Sequence, residues 1–159
     1  MTVVDDLPIG QSCRSTGRTI SEGEFMLLHN LMGAMTPLHA NKHYMESTEY
    51  GERILGGGVV VGLVAAGWAN SALNHSLIAD HGVRWRAALG LDAKFVGPVQ
   101  PGDTLYFVYT LNAARESKSR AGCGVMTVEM RVENQRDQVC SVGTLNALFD
   151  RPDPADTGP

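Results

Sequence analysis

Leu31-Met32-Gly33-Ala34-Met35-Thr36-Pro37-Leu38-His39, followed after a short gap by Arg53-Ile54-Leu55-Gly56-Gly57-Gly58, is the stretch on which the reading of this chain turns. Its first half places one imidazole after a Pro-Leu pair, and an imidazole titrates near neutrality, so it can take a proton and return it. Its second half is a glycine-rich entry to a long apolar run, and a helix that starts there presents unpaired backbone N–H groups. One proton carrier and one cluster of main-chain donors suit chemistry beside a carbonyl.

Upstream of this stretch, Ser21 and Glu24 make a capping-box pattern ahead of Phe25, Leu27, Leu28 and Leu31, which predicts a helix over 22–32. Pro37 opposes helical continuation, so 33–38 is expected to be a loop that presents His39. Asn41 is an N-cap for a second short helix over 42–48. From 57 to 73 the chain is rich in Val, Leu and Ala with almost no polar face until Asn70. A helix apolar on all sides is buried, and this one falls short of the ~20 residues that span a bilayer. It is expected to be a central helix, with Gly62 and Gly67 allowing close backbone approach.

Downstream, 74–82 is polar and reads as a connection. Strand-like runs follow at 83–88, 91–96, 104–114, 124–133 and 139–149, separated by Gly97-Pro98, by Pro101-Gly102-Asp103 and by Asn134-Gln135-Arg136-Asp137. Met126, Val128, Met130 and Val132 alternate with Thr127, Glu129 and Arg131, so one sheet face packs and the other is wet. Short helices, one buried helix and then consecutive strands predict an α+β layer, an antiparallel β-sheet wrapped around a long central helix.

With 159 residues and 43% hydrophobic composition the chain suits one domain with a real core. A formal net charge of −4 argues against a nucleic-acid surface. Three cysteines, Cys13, Cys123 and Cys140, show neither disulfide-framework nor zinc-site spacing and read as thiols in a reducing cytosol. Asp5 and Asp6 stand where a secretory signal would be basic and then apolar, so a cytoplasmic location and no membrane partner are expected.

The quoted residues resemble the MaoC-like dehydratase or (R)-specific enoyl-CoA hydratase family of the hotdog fold. That family's pattern is roughly D-x-N-P-x-H, then aromatic-G-x-R-I, then H-G at the start of the central helix. Pro37-Leu38-His39, Tyr50-Gly51-Glu52-Arg53-Ile54 and Gly57 match it. Phe95-Val96-Gly97-Pro98-Val99, Pro101-Gly102-Asp103 and Asn134-Gln135 are similar to its C-terminal half. The family's catalytic Asp falls on Ala34, its Asn on Thr36 and its frequent helix-entry His on Gly56.

The resemblance covers a hotdog domain over 18–149; the mixed, turn-rich stretch 1–17 reads as an N-terminal arm, and the tail over 150–159, with three prolines after Asp150, is expected to be disordered. The resemblance implies a hydratase or dehydratase acting on a 2-enoyl or 3-hydroxyacyl thioester of coenzyme A or a carrier protein. His39 would be general base and acid and the Gly57 N–H the oxyanion donor, with Thr36, Gly56 and Gly58 binding substrate. No metal or redox cofactor is required, coenzyme A entering only as part of the substrate. A homodimer or higher homo-oligomer is expected, with active sites between subunits. Arg84, Arg86, Lys94, Arg115, Lys118 and Arg120 are cations available to phosphates.

Ala34 cannot exchange a proton. Either His39 works alone, or Asn30 or Thr36 orients the water, or Glu46, Glu49 or His43 approaches from the next segment. Two other readings stand beside hydration: thioester hydrolysis, and a non-catalytic thioester-binding or structural subunit, which Ala34 favours.

Overall fold

The computed structural model describes residues 2–152, so most of the expected disordered tail, 153–159, lies outside the described residues. Eleven elements follow in the order β1 (Ser12–Arg14), β2 (Arg18–Thr19), α1 (Glu22–Met32), α2 (Pro37–Ala40), α3 (Lys42–Glu46), α4 (Gly57–Ala69), α5 (Ala72–Ala79), β3 (Arg84–Phe95), β4 (Thr104–Glu116), β5 (Cys123–Glu133) and β6 (Val139–Asp150). The strands form one antiparallel sheet of order β1-β4-β5-β6-β3, with β2 also on β4.

Alternation along β5 sorts as the residue pattern requires. Met126, Val128, Met130 and Val132 are buried while Glu129 and Arg131 face water. The buried face wraps α4, whose Val59, Val60, Leu63, Val64 and Trp68 join Phe107, Tyr109, Leu111 and the β5 side chains in one core. Helix α4 carries no charge to give it a wet face, so the sheet must cover it.

Tyr109, fully buried on β4, donates its hydroxyl to the Val64 carbonyl of α4 at 2.7 Å. The phenol passes so close to Gly67 that a Cβ there would lie 2.4 Å from its oxygen. Gly67 thus permits the close approach expected of it. Gly62 does not serve that purpose, because a Cβ at that position would meet nothing within 4 Å among the described residues.

Several local expectations change. The central helix ends at Ala69, and the polar stretch read as a connection is helix α5, because Ser71 accepts the Asn74 N–H at 3.1 Å as a new N-cap and Leu73 and Leu77 repeat at helical spacing into the core. Pro37 does not end order before His39; it is the first residue of the short helix α2, where its missing N–H costs nothing, so His39 sits on a helical turn rather than in a loop. The two runs at 83–88 and 91–96 are one bulged strand, β3, on the edge of the sheet. The arm is anchored as well, with Leu7 buried and β1 paired to β4. Among the described residues no helix is long and apolar enough to cross a membrane.

Candidate active site

Two pieces of chain carry the site to the start of α4. Helix α1 is capped by Ser21, which accepts the Glu24 N–H at 3.2 Å, and closes at Gly33 in the left-handed conformation (φ 64°). Its inward face is Phe25 and His29, one helical turn apart, while Leu27 and Leu31 point outwards. The segment before α4 is stitched to α2 and to the 97–99 turn: Ile54 donates its N–H to the Leu38 carbonyl at 3.1 Å, and Leu55 donates to Val99 at 2.7 Å.

His39, half-buried, donates Nδ1–H to the Ile54 carbonyl at 2.7 Å. That bond fixes the tautomer, so Nε2 carries the lone pair. Nε2 lies at the mouth of α4, 3.3 Å from where a Cβ on Gly56 would stand. His39 and Gly57 line one pocket of about 400 Å³, together with Tyr50, Val60, Phe95 and Cys140. Gly57 is the first residue of α4, so its N–H has no carbonyl one turn back to bond, and the helix turns its positive end to the pocket. A Cβ at Gly57 would overlap the Phe95 ring at 2.5 Å, so only glycine lets that ring lie over the helix entry.

Thr36 caps α2 through its backbone, is exposed and stands outside the pocket wall. Gly56 is buried and Gly58 is exposed beside the Met32 methyl; neither lines the pocket. Asn30, His43, Glu46 and Glu49 are likewise exposed and outside it. None of the six cations considered for phosphate binding reaches the pocket wall. Arg84 and Arg86 meet Asp150, Lys94 lies in a depression of about 600 Å³ on the outer sheet face, and Arg115, Lys118 and Arg120 line a separate recess beside Leu89. That larger outer depression is lined by solvated side chains such as Glu129, Arg131 and Thr144 and has no helix end.

The residue that sequence reasoning passed over is His29. It is fully buried, stacked on His39 with ring centroids 4.7 Å apart and planes 20° apart. Its Nδ1–H donates to the Phe25 carbonyl at 2.8 Å, and its Nε2 accepts the Gly56 N–H at 2.9 Å. Burial pushes its pKa down, and the neighbouring His39 and Arg53 push the same way against the Phe25 bond. With both nitrogens engaged it is a neutral imidazole and no substitute for the carboxylate that Ala34 lacks. The Phe25–His29 spacing was visible in the sequence; the meeting with Gly56, 27 residues on, was not.

Arg53 completes the layer. It is 6% exposed, holds Glu22 through two bonds of 2.7 and 2.8 Å and Glu52 at 3.1 Å, and stands over Phe25 at 5.5 Å. Cys140 bonds the Pro98 and Gln138 carbonyls at 3.6 Å, and burial raises its pKa, which keeps it a thiol.

A sheet curled around one apolar helix, with an imidazole and the helix N-terminus on the same pocket wall, defines a hotdog-fold protein. The chain belongs to the MaoC-like dehydratase family: the MaoC like domain matches residues 6–134. It is 30% identical over 107 residues to the (R)-specific enoyl-CoA hydratase of Rhodospirillum rubrum, covering 67% of each chain. Among solved structures it resembles the MaoC-like dehydratase from Rhodospirillum rubrum (TM-score 0.75, 20% identity, 96% of this chain and 99% of that one). It also resembles the (R)-hydratase from A. caviae involved in PHA biosynthesis (TM-score 0.67, 22% identity, 93% and 99%). At such identities these two support the fold.

Proposed function

We propose that this chain catalyses reversible hydration of a 2-enoyl thioester, carried by coenzyme A or a carrier protein, to the 3-hydroxyacyl thioester. The observation that carries the reading is the approach of His39 Nε2 to the N-terminus of α4 at one pocket wall. Nε2 takes a proton from water as the water oxygen bonds to C3 of the enoyl group. The electron pair of the double bond moves onto the thioester as an enolate, whose oxygen accepts the Gly57 N–H. The imidazolium then returns its proton to C2 on the same face, so water adds syn and His39 ends as it began. Dehydration is the reverse.

The pocket wall presents no carboxylate among the described residues, so one imidazole serves as both base and acid. The reaction as written uses water and no metal or redox cofactor. A purely binding role leaves the free Nε2 without a task, and thioester hydrolysis at the same imidazole is separated from hydration by the products formed.

The test is steady-state hydration of a short 2-enoyl-CoA, read as loss of conjugated absorbance with free thiol followed in parallel. His39→Ala is expected to lower kcat by about 10²–10⁴-fold. Thiol release without hydration overturns the reading in favour of a thioesterase, and thioester binding with neither reaction overturns it in favour of a binding subunit. We infer a homodimer, supported by β3, which among the described residues is the last strand of the sheet and exposes Leu89 and Phe95. Light scattering at assay concentration checks it. We place this activity in the cytoplasm.

A further inference from the structure

A buried histidine with both nitrogens bonded and one face laid against the candidate base has a task that neither packing nor proton transfer describes. His29 is on α1, the Gly56 amide is at the entry to α4, and the His39 ring is on α2. The single imidazole of His29 touches both parts of the site. It accepts the Gly56 N–H at 2.9 Å and stacks on His39 at 4.7 Å. A methyl group on Gly56 would come within 3.3 Å of Nε2 on both rings, so the glycine is the spacer that lets the rings flank it.

We propose that His29 is a positioning residue for this site: its Nε2 holds the Gly56 amide so that Gly57 supplies the free donor at the head of α4, and its face fixes the plane of the His39 ring.

The consequences follow from geometry. If Gly56 lost its acceptor, the amide preceding Gly57 would be unpaired in a buried place and the peptide would turn to find a partner. The Gly56 and Gly57 N–H groups belong to adjacent peptide planes hinged at the Gly56 Cα, so a turn of the first changes the Gly56 dihedrals that set the entry to α4 and shifts the second. The ring of His39 is held by the Ile54 carbonyl at one edge only. Its tilt about that bond is limited by the His29 face on one side. Misplacement of a reacting group by about 1 Å costs on the order of 10²-fold in rate.

Phe25 meets His29 at a tilt, with centroids 4.5 Å and planes 48° apart, and Arg53 stands over Phe25. The stack therefore runs from a buried cation through two rings to His39. Its members come from α1, α2 and the segment before α4. No sequence run contains them.

The test uses the full chain and two variants. His29→Phe keeps a flat ring against His39 and removes the acceptor for Gly56. His29→Gln keeps an acceptor near Nε2 and removes the ring. In ¹⁵N-labelled protein free of substrate at neutral pH, wild-type His29 is expected to hold the neutral Nδ1–H tautomer that its two hydrogen bonds require, and to take up a proton only below the pH at which a free imidazole does. The Gly56 amide should exchange slowly and show a scalar coupling to a histidine nitrogen. In His29→Phe that coupling should vanish and exchange at Gly56 should rise at least about 10-fold, with kcat for crotonyl-CoA hydration falling about 10–100-fold and KM changing less than about 3-fold. In His29→Gln, Gly56 protection should return with partial recovery of kcat, while the His39 ring signals broaden or shift.

The kinetic arm rests on the hydration reading, and the spectroscopic arm does not. If wild type has no hydratase activity, the hydration reading falls and the proposal is judged on Gly56 exchange and the His39 signals alone. A His29 that titrates like a free imidazole overturns it, as does a His29→Phe protein with wild-type Gly56 exchange and wild-type kcat. Should His29→Phe not fold, the wild-type spectra and His29→Gln decide: unchanged His39 signals in His29→Gln, or no coupling in wild type, refute the positioning role.

Discussion

Gly67→Ala is a substitution whose sign depends entirely on one contact across the sheet–helix layer. In an isolated helix, alanine in place of an interior glycine stabilises by about 1 kcal/mol. Here the new methyl carbon would lie 2.4 Å from the Tyr109 hydroxyl and 3.2 Å from a Phe107 ring carbon. Tyr109 is fully buried and its hydroxyl is committed to the Val64 carbonyl at 2.7 Å, so the phenol cannot retreat without losing that bond. Overpacking costs about 1–3 kcal/mol, and a buried hydroxyl left without a partner about 1–3 kcal/mol more. Set against the propensity gain, the net is a destabilisation of about 1–5 kcal/mol.

Tyr109→Phe separates the contributions. Alone it removes one hydrogen bond and should cost about 0.5–1.5 kcal/mol. Combined with Gly67→Ala it removes the atom that clashes, so the double variant should be less destabilised than the sum of the singles by about 1–3 kcal/mol. Urea unfolding followed by tryptophan fluorescence reads this directly, because Trp68 and Trp85 meet edge to face at 5.9 Å and Trp68 also meets Tyr109 at 5.5 Å. The midpoint should move while the slope stays constant. A Gly67→Ala protein as stable as wild type, or strict additivity in the double variant, would refute the account of why α4 carries glycine there.

Two further outcomes follow from the site. His29 is held neutral in the folded protein with its pKa below the ordinary 6.5, chiefly by burial, whereas in the unfolded chain it titrates at the ordinary value. Between the two values the unfolded state binds the extra proton, so stability is whole above about pH 6.5 and declines as pH falls towards the folded pKa. Urea midpoints from pH 7.5 to 5.5 should fall more steeply for wild type than for His29→Gln, and equal slopes would refute the assignment of a neutral buried imidazole. Ala34→Asp places a carboxylate just past the end of α1, where the Ala34 N–H bonds the His29 carbonyl at 3.0 Å. It should raise hydration by at least about 10-fold, and an unchanged or lower kcat would show that position 34 does not face the water.

Much of this protein follows from local chemistry. The capping pattern at Ser21 and Glu24, the alternation from Met126 to Val132 and the apolar run after Gly57 each specify an element through interactions within a few residues; the first two formed as read, and the third formed its helix but stopped at Ala69. His39 and Gly57 were singled out through the family resemblance, and it is the folded chain that brings them to one pocket wall. The misread places are those where a local signal has two outcomes. Pro37 can end a helix or begin one, and a polar stretch such as 74–82 can be a loop or a capped helix with one buried edge. Position 62 and position 67 are the same residue on the same helix, and only the passage of Tyr109 beside one of them tells them apart.

The sequence by itself determined the class of fold and one imidazole with one helix entry, because hydrophobic period, caps and glycine runs act over a turn or a strand. The tertiary structure alone decided that His29 lies against His39 and takes the Gly56 amide, and that Thr36 stays outside the pocket wall. Those facts depend on how α1 docks against the start of α4, and docking is set by the summed fit of many side chains distant in the chain rather than by any neighbouring residues.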